Sequence, residues 1–276
     1  MTLEISTERV FSLPCFEGLR LLRQYSALQP KLSTDELISL VENIEADGSS
    51  LDLEASVHLA TIVEADCPLE GGIFYQFCIK AVLLKHQPIW SKAMRTGRKR
   101  FVKTLDKNDQ DVFAAAGLMA DPPEQDVITW WDDVSGHARL IVDQLKMKQG
   151  RAAEILSLEH ERKRLTELGV QREPKWPGLD DNFAGYDVLS FDVVDGELRN
   201  KMIEVKSTTA SPLRFFVSRN EWEQASLSPD SYIFHVWDMT KTPEILYIRS
   251  ATDVAPHIPS DNEKGKWTNA NIPIAQ

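Results

Sequence analysis

The chain has 276 residues, 42% of them hydrophobic and 26% charged, the balance of an ordinary globular protein and not of a disordered one. A formal net charge of -11 excludes a generic polyanion-coating protein, because non-specific nucleic-acid binding depends on phosphate neutralisation by Lys and Arg. The length suffices for one large domain or two modest ones, each with a core of its own.

The three cysteines, Cys15, Cys67 and Cys78, form no Cys-x-x-Cys pair, and the six histidines form no closely spaced ligand pair. Free buried thiols in a reducing compartment are therefore expected, and zinc is not. The opening residues lack the basic-then-apolar order of a signal peptide. Gly71 to Leu84, the most apolar stretch, is interrupted by Gln76 and Lys80 and is too short to span a bilayer. A cytoplasmic protein with no membrane partner is expected.

From about Ser33 to Leu168 nearly every segment has helical spacing. Ser33-Thr34-Asp35-Glu36 supplies cap candidates for a helix carrying Leu37, Leu40, Val41 and Ile44. Helices are predicted over 51–63, 73–84, 109–119 and 124–147, separated by Asp-Gly, Cys-Pro, Gln-Pro and Asp-Pro-Pro breakers, and another over 150–168. The period changes after Gly169. Strands are predicted at 186–193, 198–206 and 213–217, then a helix at 219–227 opened by the capping-box sequence Ser218-Arg219-Asn220-Glu221. Two more strands are predicted at 232–237 and 244–248, followed by an irregular tail with an edge strand around Trp267. The fold class is therefore α+β, with an all-helical domain over 1–148 and an α/β domain over 149–276.

The stretch Ile203-Glu204-Val205-Lys206 sets a carboxylate and an ammonium on one face of an otherwise apolar strand. Upstream, two β-rich runs flank Asp195-Gly196, a strong signal for a two-residue hairpin. With that turn, Val194 pairs with Glu197, Asp192 with Arg199, Leu189 with Met202 and Asp187 with Glu204. The face holding Asp187, Leu189, Phe191, Val193, Leu198, Met202, Glu204 and Lys206 is mostly apolar and is expected to be the buried one. Opposed like charges destabilise a sheet, so a cation is needed between the carboxylates. Opposed side chains lie roughly 5 Å apart at Cβ, which suits joint coordination of a hard divalent ion. Asp187 and Glu204 are thus candidate ligands for Mg²⁺, with Mn²⁺ as a substitute, and Lys206 is the candidate for orienting a water and offsetting negative charge on a phosphate. A solvated strand end is the alternative explanation of the same residues.

The order helix, strand, hairpin partner, strand, helix, strand, with Asp and Glu-x-Lys on the central hairpin, resembles the core of the PD-(D/E)XK nuclease superfamily, an αβββαβ unit with a mixed central sheet. Gly150-Arg151-Ala152-Ala153-Glu154, Glu161 to Leu165, Gly185 to Phe191, Ile203 to Thr209, Phe215 to Glu221 and Tyr232 to Val236 together resemble the C-terminal domain family named after the plant protein No Vein. The resemblance spans roughly 150–240 and leaves the first half uncovered. It implies Asp187 and Glu204 as metal ligands, Lys206 as the catalytic lysine and Glu154 as an additional carboxylate, in a restriction-type endonuclease of the kind found beside prokaryotic defence proteins. Glu154 shares a helix face with Leu158 and Leu165; an exposed first-turn glutamate favoured by the helix dipole is the alternative. Tyr186 stands where the superfamily's name has Pro.

Ser207 and Thr208 are candidate phosphate donors, and Asn220, Glu221 and Gln224 are weaker candidates for the cleft. Lys92, Arg95, Arg98, Lys99, Arg100 and Lys103 form the densest basic cluster and are candidates for nucleic-acid contact, against the alternative of a solvated helix face. Trp130-Trp131 reads as helix packing sooner than as a base-stacking platform. The expected function is a Mg²⁺-dependent endonuclease on nucleic acid, DNA before RNA, with the helical half positioning substrate or docking a protein partner, or pairing two copies. A catalytically inactive module of the same fold, binding nucleic acid or scaffolding a complex, is the rival reading.

Overall fold

The computed structural model describes residues 5–180, 184–261, 263 and 265–274. It divides into two compact units, Met1–Asp143 and Gln144–Gln276. Among the described residues no helix is long and apolar enough to cross a membrane.

The N-terminal unit is helical: α1 (Thr7–Val10), α2 (Leu13–Leu28), α3 (Thr34–Ile44), α4 (Leu53–Ala60), α5 (Gly71–His86), α6 (Arg98–Val102), α7 (Lys107–Ala115) and the first part of α8 (Gln125–Glu167). Side-chain oxygens start these helices: Ser12 accepts from the Cys15 N–H, Asp52 from Ala55 and Asp106 from Asp109, and Ser33 with Glu36 forms a full capping box. Helix therefore begins well before Ser33. Pro14 reads as a breaker but sits in the first turn of α2, where its missing N–H costs nothing. The core packs Phe11, Phe16, Phe74, Phe101 and Phe113 with Trp130 and Trp131 from α8. The Trp130 Nε1–H donates to the Gln76 carbonyl at 3.2 Å, so the tryptophan pair is a packing feature. All three cysteines are buried and free.

Helix α8 runs unbroken where two helices were expected. Gly150 lies inside it, and Gly in place of Ala costs only about 1 kcal/mol in a helix interior, too little to end one packed elsewhere. In the C-terminal unit Ala153 and Leu158 of α8 join a core with Val188, Ile203, Val205 and Trp237.

That unit continues with α9 (Pro177–Asp180), β1 (Val188–Val194), β2 (Glu197–Thr208), β3 (Arg214–Ser218), α10 (Arg219–Leu227), β4 (Tyr232–Asp238), β5 (Ile245–Ser250), α11 (Ala251–Val254) and β6 (Asn269–Pro273). The main sheet has the order β1-β2-β4-β5 and is mixed, with β2 and β4 parallel and the outer pairs antiparallel. The β1-β2 register is the expected one, from Val194 with Glu197 to Leu189 with Met202. Asp195 and Gly196 both have positive φ, the mirror-image turn that matches strand twist.

Two expectations need correction. β3 does not join the main sheet but pairs antiparallel with β6, so the tail is not irregular: Ala270, Ile272 and Ile274 alternate inward onto Phe215 and Val217. Nor is one face of the hairpin buried and the other wet. Ile203 and Val205 face the α8 core, while Met202 packs with Tyr232, Phe234 and Val236 on the opposite side. A strand flanked by a parallel neighbour is covered on both faces.

The α8 side of the sheet contains a buried polar network that holds the helix in place. Glu161, fully buried, accepts from Arg164 (2.6 and 2.9 Å) and Ser190 (2.6 Å) and meets Lys201 Nζ at 3.1 Å. Arg164 goes on to Asp192 at 2.6 Å and the Phe191 carbonyl. Burial opposes the Glu161 charge, yet Arg164, Lys201 and Ser190 hold its pKa down to about 2. His235, also fully buried, contacts Ser157 Oγ at 3.3 Å, and burial pushes its imidazole down to about 3.

Removing one partner of a buried ion pair leaves the other uncompensated, which costs about 3–5 kcal/mol. Glu161→Ala is expected to lower stability by that order in urea denaturation, and the apolar pair Glu161→Leu with Lys201→Met to recover much of the loss. The unfolded chain binds a proton at His235 near the ordinary value of 6.5 and the folded chain only near 3. Stability from this group is therefore complete above 6.5 and falls as pH drops through that window, by about 1.4 kcal/mol per pH unit. His235→Gln is expected to remove that slope, read as the difference between wild type and variant in urea melts across the window.

Candidate functional site

Glu204 and Lys206, two apart on β2, project to the side of the sheet that carries α10. Glu204 is 7% exposed; its Oε1 lies 2.7 Å from Lys206 Nζ, and its Oε2 accepts from the Tyr232 hydroxyl at 3.3 Å. Tyr232 comes from β4, and its single hydroxyl hydrogen is shared between this carboxylate and the nearer acceptor, the Gly185 carbonyl at 2.8 Å. The lysine has a second partner, Glu221 Oε2 at 2.8 Å, from the first turn of α10.

Asp187 ends the loop before β1. Its N–H donates to the Ile203 carbonyl at 3.0 Å, just beyond the last ladder pair of the hairpin, Val188 with Ile203. Its Oδ2 accepts from the Val205 N–H at 2.7 Å. Two glycines make this placement possible. A Cβ on Gly178 would come within 3.0 Å of Asp187 Cα and Oδ1, and Gly185, at φ +79°, lies against the Gln224 side chain of α10.

The charges do not balance. Asp187, Glu204 and Glu221 share one ammonium, Lys206. Burial first, and then the neighbouring carboxylates, push Asp187 up to about 6 and Glu204 up to about 8. Burial works against the Lys206 charge as well, but Glu204 and Glu221 overcome it and hold the ammonium above its ordinary range. Glu221 stays below the ordinary carboxylate value despite burial, because Lys206 and the Ser218 cap both favour its charge. Each carboxylate raised in this way loses stabilisation that a further cation would restore.

A hard divalent cation fits the donor chemistry, since Asp187 and Glu204 offer only oxygen and Mg²⁺ is commonly held by one or two carboxylates with water and phosphate oxygens completing its shell. Among the described residues no three His, Cys, Asp or Glu side chains converge as a preformed metal cage.

The other expected residues are placed variously. Glu154 Oε2 accepts from the Trp176 indole N–H at 2.6 Å and from Arg151 at 2.8 Å, and its charge contributes to raising Asp187. Ser207 Oγ accepts from Gln149 at 3.0 Å. Thr208 is buried and donates to the Arg214 carbonyl at 2.7 Å, which commits its hydroxyl to the turn before β3. The basic cluster belongs to the N-terminal unit. Arg98 donates to the Leu118 and Ala120 carbonyls and Lys99 pairs with Asp121 at 2.8 Å, whereas Lys92, Arg95, Arg100 and Lys103 are exposed. The same unit has a cavity of about 1060 Å³ floored by Phe11, Trp90 and Leu105 and rimmed by Glu8, Asp106 and Asp109; none of the expected site residues line it.

Sequence reasoning gave Glu221 too little weight and missed Tyr232 altogether. The capping-box pattern accounted for Glu221 and so concealed its second contact, and nothing local marks a strand tyrosine as the donor to a carboxylate on the neighbouring strand. Both hydroxyl and carboxylate arrive through the parallel pairing of β2 with β4 and the packing of α10, which are long-range features.

No curated protein and no solved structure matches the chain. Residues 153–248 match the family model described as Protein NO VEIN, C-terminal, a stretch that contains Glu154, Asp187, Glu204, Lys206, Glu221 and Tyr232 and none of the N-terminal unit.

Proposed function

We propose that the C-terminal unit is a metal-dependent endonuclease of the PD-(D/E)XK type, hydrolysing phosphodiester bonds in DNA, in a prokaryotic defence or restriction setting. The observation that carries this reading is the surplus of buried carboxylate around one lysine, with Asp187 and Glu204 raised to about 6 and 8 by burial and then by the neighbouring acids. A purely structural arrangement would be balanced, because an uncompensated buried charge costs several kcal/mol by order of magnitude.

In this reading Asp187 and Glu204 hold Mg²⁺, which supplies a Lewis acid for the phosphate and a bound water of lowered pKa. Asp187 is positioned for this by the Val205 N–H and by the close approach of Gly178. Lys206 places a fixed positive charge beside the phosphate oxygens, where it opposes the negative charge that develops in the transition state. Because its two carboxylate partners keep it protonated, Lys206 acts as a charge and hydrogen-bond donor and not as the general base.

One set of observations favours the rival reading of an inactive module that binds nucleic acid or scaffolds a complex. Glu204 is deeply buried, Lys206 is paired with both Glu204 and Glu221, and no third ligand converges among the described residues.

Incubation with supercoiled, linear and single-stranded DNA and with RNA, with Mg²⁺, Mn²⁺ or chelator, separates the two. The endonuclease reading expects metal-dependent nicking that chelator abolishes and that Lys206→Ala or Asp187→Asn lowers by about 10²–10³-fold, the order lost with one transition-state donor. Binding without cleavage that survives both substitutions identifies the module.

For the basic cluster, neutralising Lys92, Arg95, Arg100 and Lys103 is expected to weaken nucleic-acid binding and to reduce the salt slope by about 0.9 for each phosphate left without its cation, measured by fluorescence anisotropy over a salt series. Arg98→Ala is expected instead to destabilise the fold by about 1–3 kcal/mol, because it leaves the Leu118 and Ala120 carbonyls without their donor.

A further inference from the structure

Lys206 is bound by two carboxylates whose tasks differ. Under the reading above, Glu204 is a metal ligand and would divide its carboxylate between a cation and Lys206, whose Nζ lies 2.7 Å from Oε1. Glu221 has no such competing task. Its Oε2, 2.8 Å from Lys206 Nζ, is fixed by the Ser218 N–H at 2.9 Å, and its own N–H donates to Ser218 Oγ at 3.3 Å. The capping box therefore anchors this carboxylate to the start of α10 through the Ser218 N–H.

The cap does not explain why the residue is a glutamate. Gln serves the third position of a capping box as well as Glu, because the cap needs only a side-chain oxygen. The negative charge is surplus to the cap, sits in a region already crowded with carboxylates, and has Lys206 as its ion-pair partner.

We propose that Glu221 is the positioning residue for Lys206, the carboxylate that keeps the ammonium in place when Glu204 turns to a cation. This rests on the hydrolase reading for the role of Glu204, but the placement of Lys206 by Glu221 can be tested apart from it. Helix α10 then sets the position of the lysine on β2, and the first turn of that helix is part of the reactive centre.

The test compares wild type, Glu221→Gln, which keeps the cap and removes the charge, and Ser218→Ala, which weakens the cap and keeps the charge. Acylation of Lys206 by an N-hydroxysuccinimide ester of acetate is followed by peptide mass spectrometry, with EDTA and with Mn²⁺, beside thermal melts and DNA cleavage. In Glu221→Gln the lysine is expected to acylate severalfold faster than in wild type, with a larger ratio in Mn²⁺ than in EDTA, and kcat to fall with little change in KM at an unchanged melting temperature. Ser218→Ala is expected to melt earlier and to acylate as wild type does. Equal acylation of Lys206 in wild type and Glu221→Gln under both conditions overturns the proposal, and a ratio that Mn²⁺ leaves unchanged overturns its account of Glu204. Faster acylation with no cleavage by any of the proteins overturns the hydrolase reading while leaving the placement of Lys206 standing.

Discussion

One ammonium serving three carboxylates is the constraint on which the chemistry of the C-terminal unit depends. Lys206 lies within hydrogen-bond distance of Glu204 and Glu221, and Asp187 feels all of them. In water this would be unremarkable. Here Glu204 is almost wholly buried, and low dielectric magnifies both the attraction to the lysine and the repulsion among the acids. The group satisfies itself partly by protonation, which is why Glu204 is raised so far, and a cation would satisfy it better.

Strand β2 makes the point by its own contrast, because it has a buried ionic group on each face. On the α8 side the acid Glu161 meets two cations, Arg164 and Lys201, together with the Ser190 hydroxyl, and its pKa is depressed to about 2. On the α10 side acids outnumber cations and the shifts of Asp187 and Glu204 go the other way. Burial opposes the charge on both faces; Arg164, Lys201 and Ser190 outweigh it on the α8 side, and one lysine does not outweigh it on the α10 side. The compensated group fixes the helix to the sheet. The other keeps more acids than cations.

What could be read from the sequence was local. The Asp195-Gly196 turn dictates its own positive φ values, and those values set the hairpin register from Val194 with Glu197 to Val188 with Ile203. The Ser218 to Glu221 capping box was equally legible, since a cap is decided within four residues. What was illegible depended on distant partners. The pairing of β3 with β6 joins segments far apart in the chain, and Phe215, Val217, Ala270 and Ile272 alternate just as well for the main sheet as for a separate ribbon. The Glu161 network draws Arg164 from one helix turn on, but Ser190, Lys201 and His235 from three different strands. The separation of the 124–147 and 150–168 helices also fails, because the local penalty of Gly150 is small beside the burial gained by the helix around it.

Glu221 shows why a pattern with a sufficient local explanation can still conceal a second role. As the third residue of α10 it closes a capping box, and nothing further is needed to account for it from sequence. In three dimensions its oxygen reaches both the Ser218 N–H and Lys206 Nζ, so one carboxylate ties a helix start to the middle of a sheet. Lys206 and the Ser218 cap hold Glu221 below the ordinary carboxylate value, while burial pushes Asp187 and Glu204 up. Lys206 is thus held from two directions, by Glu204 two residues away on its own strand and by Glu221 of the helix cap.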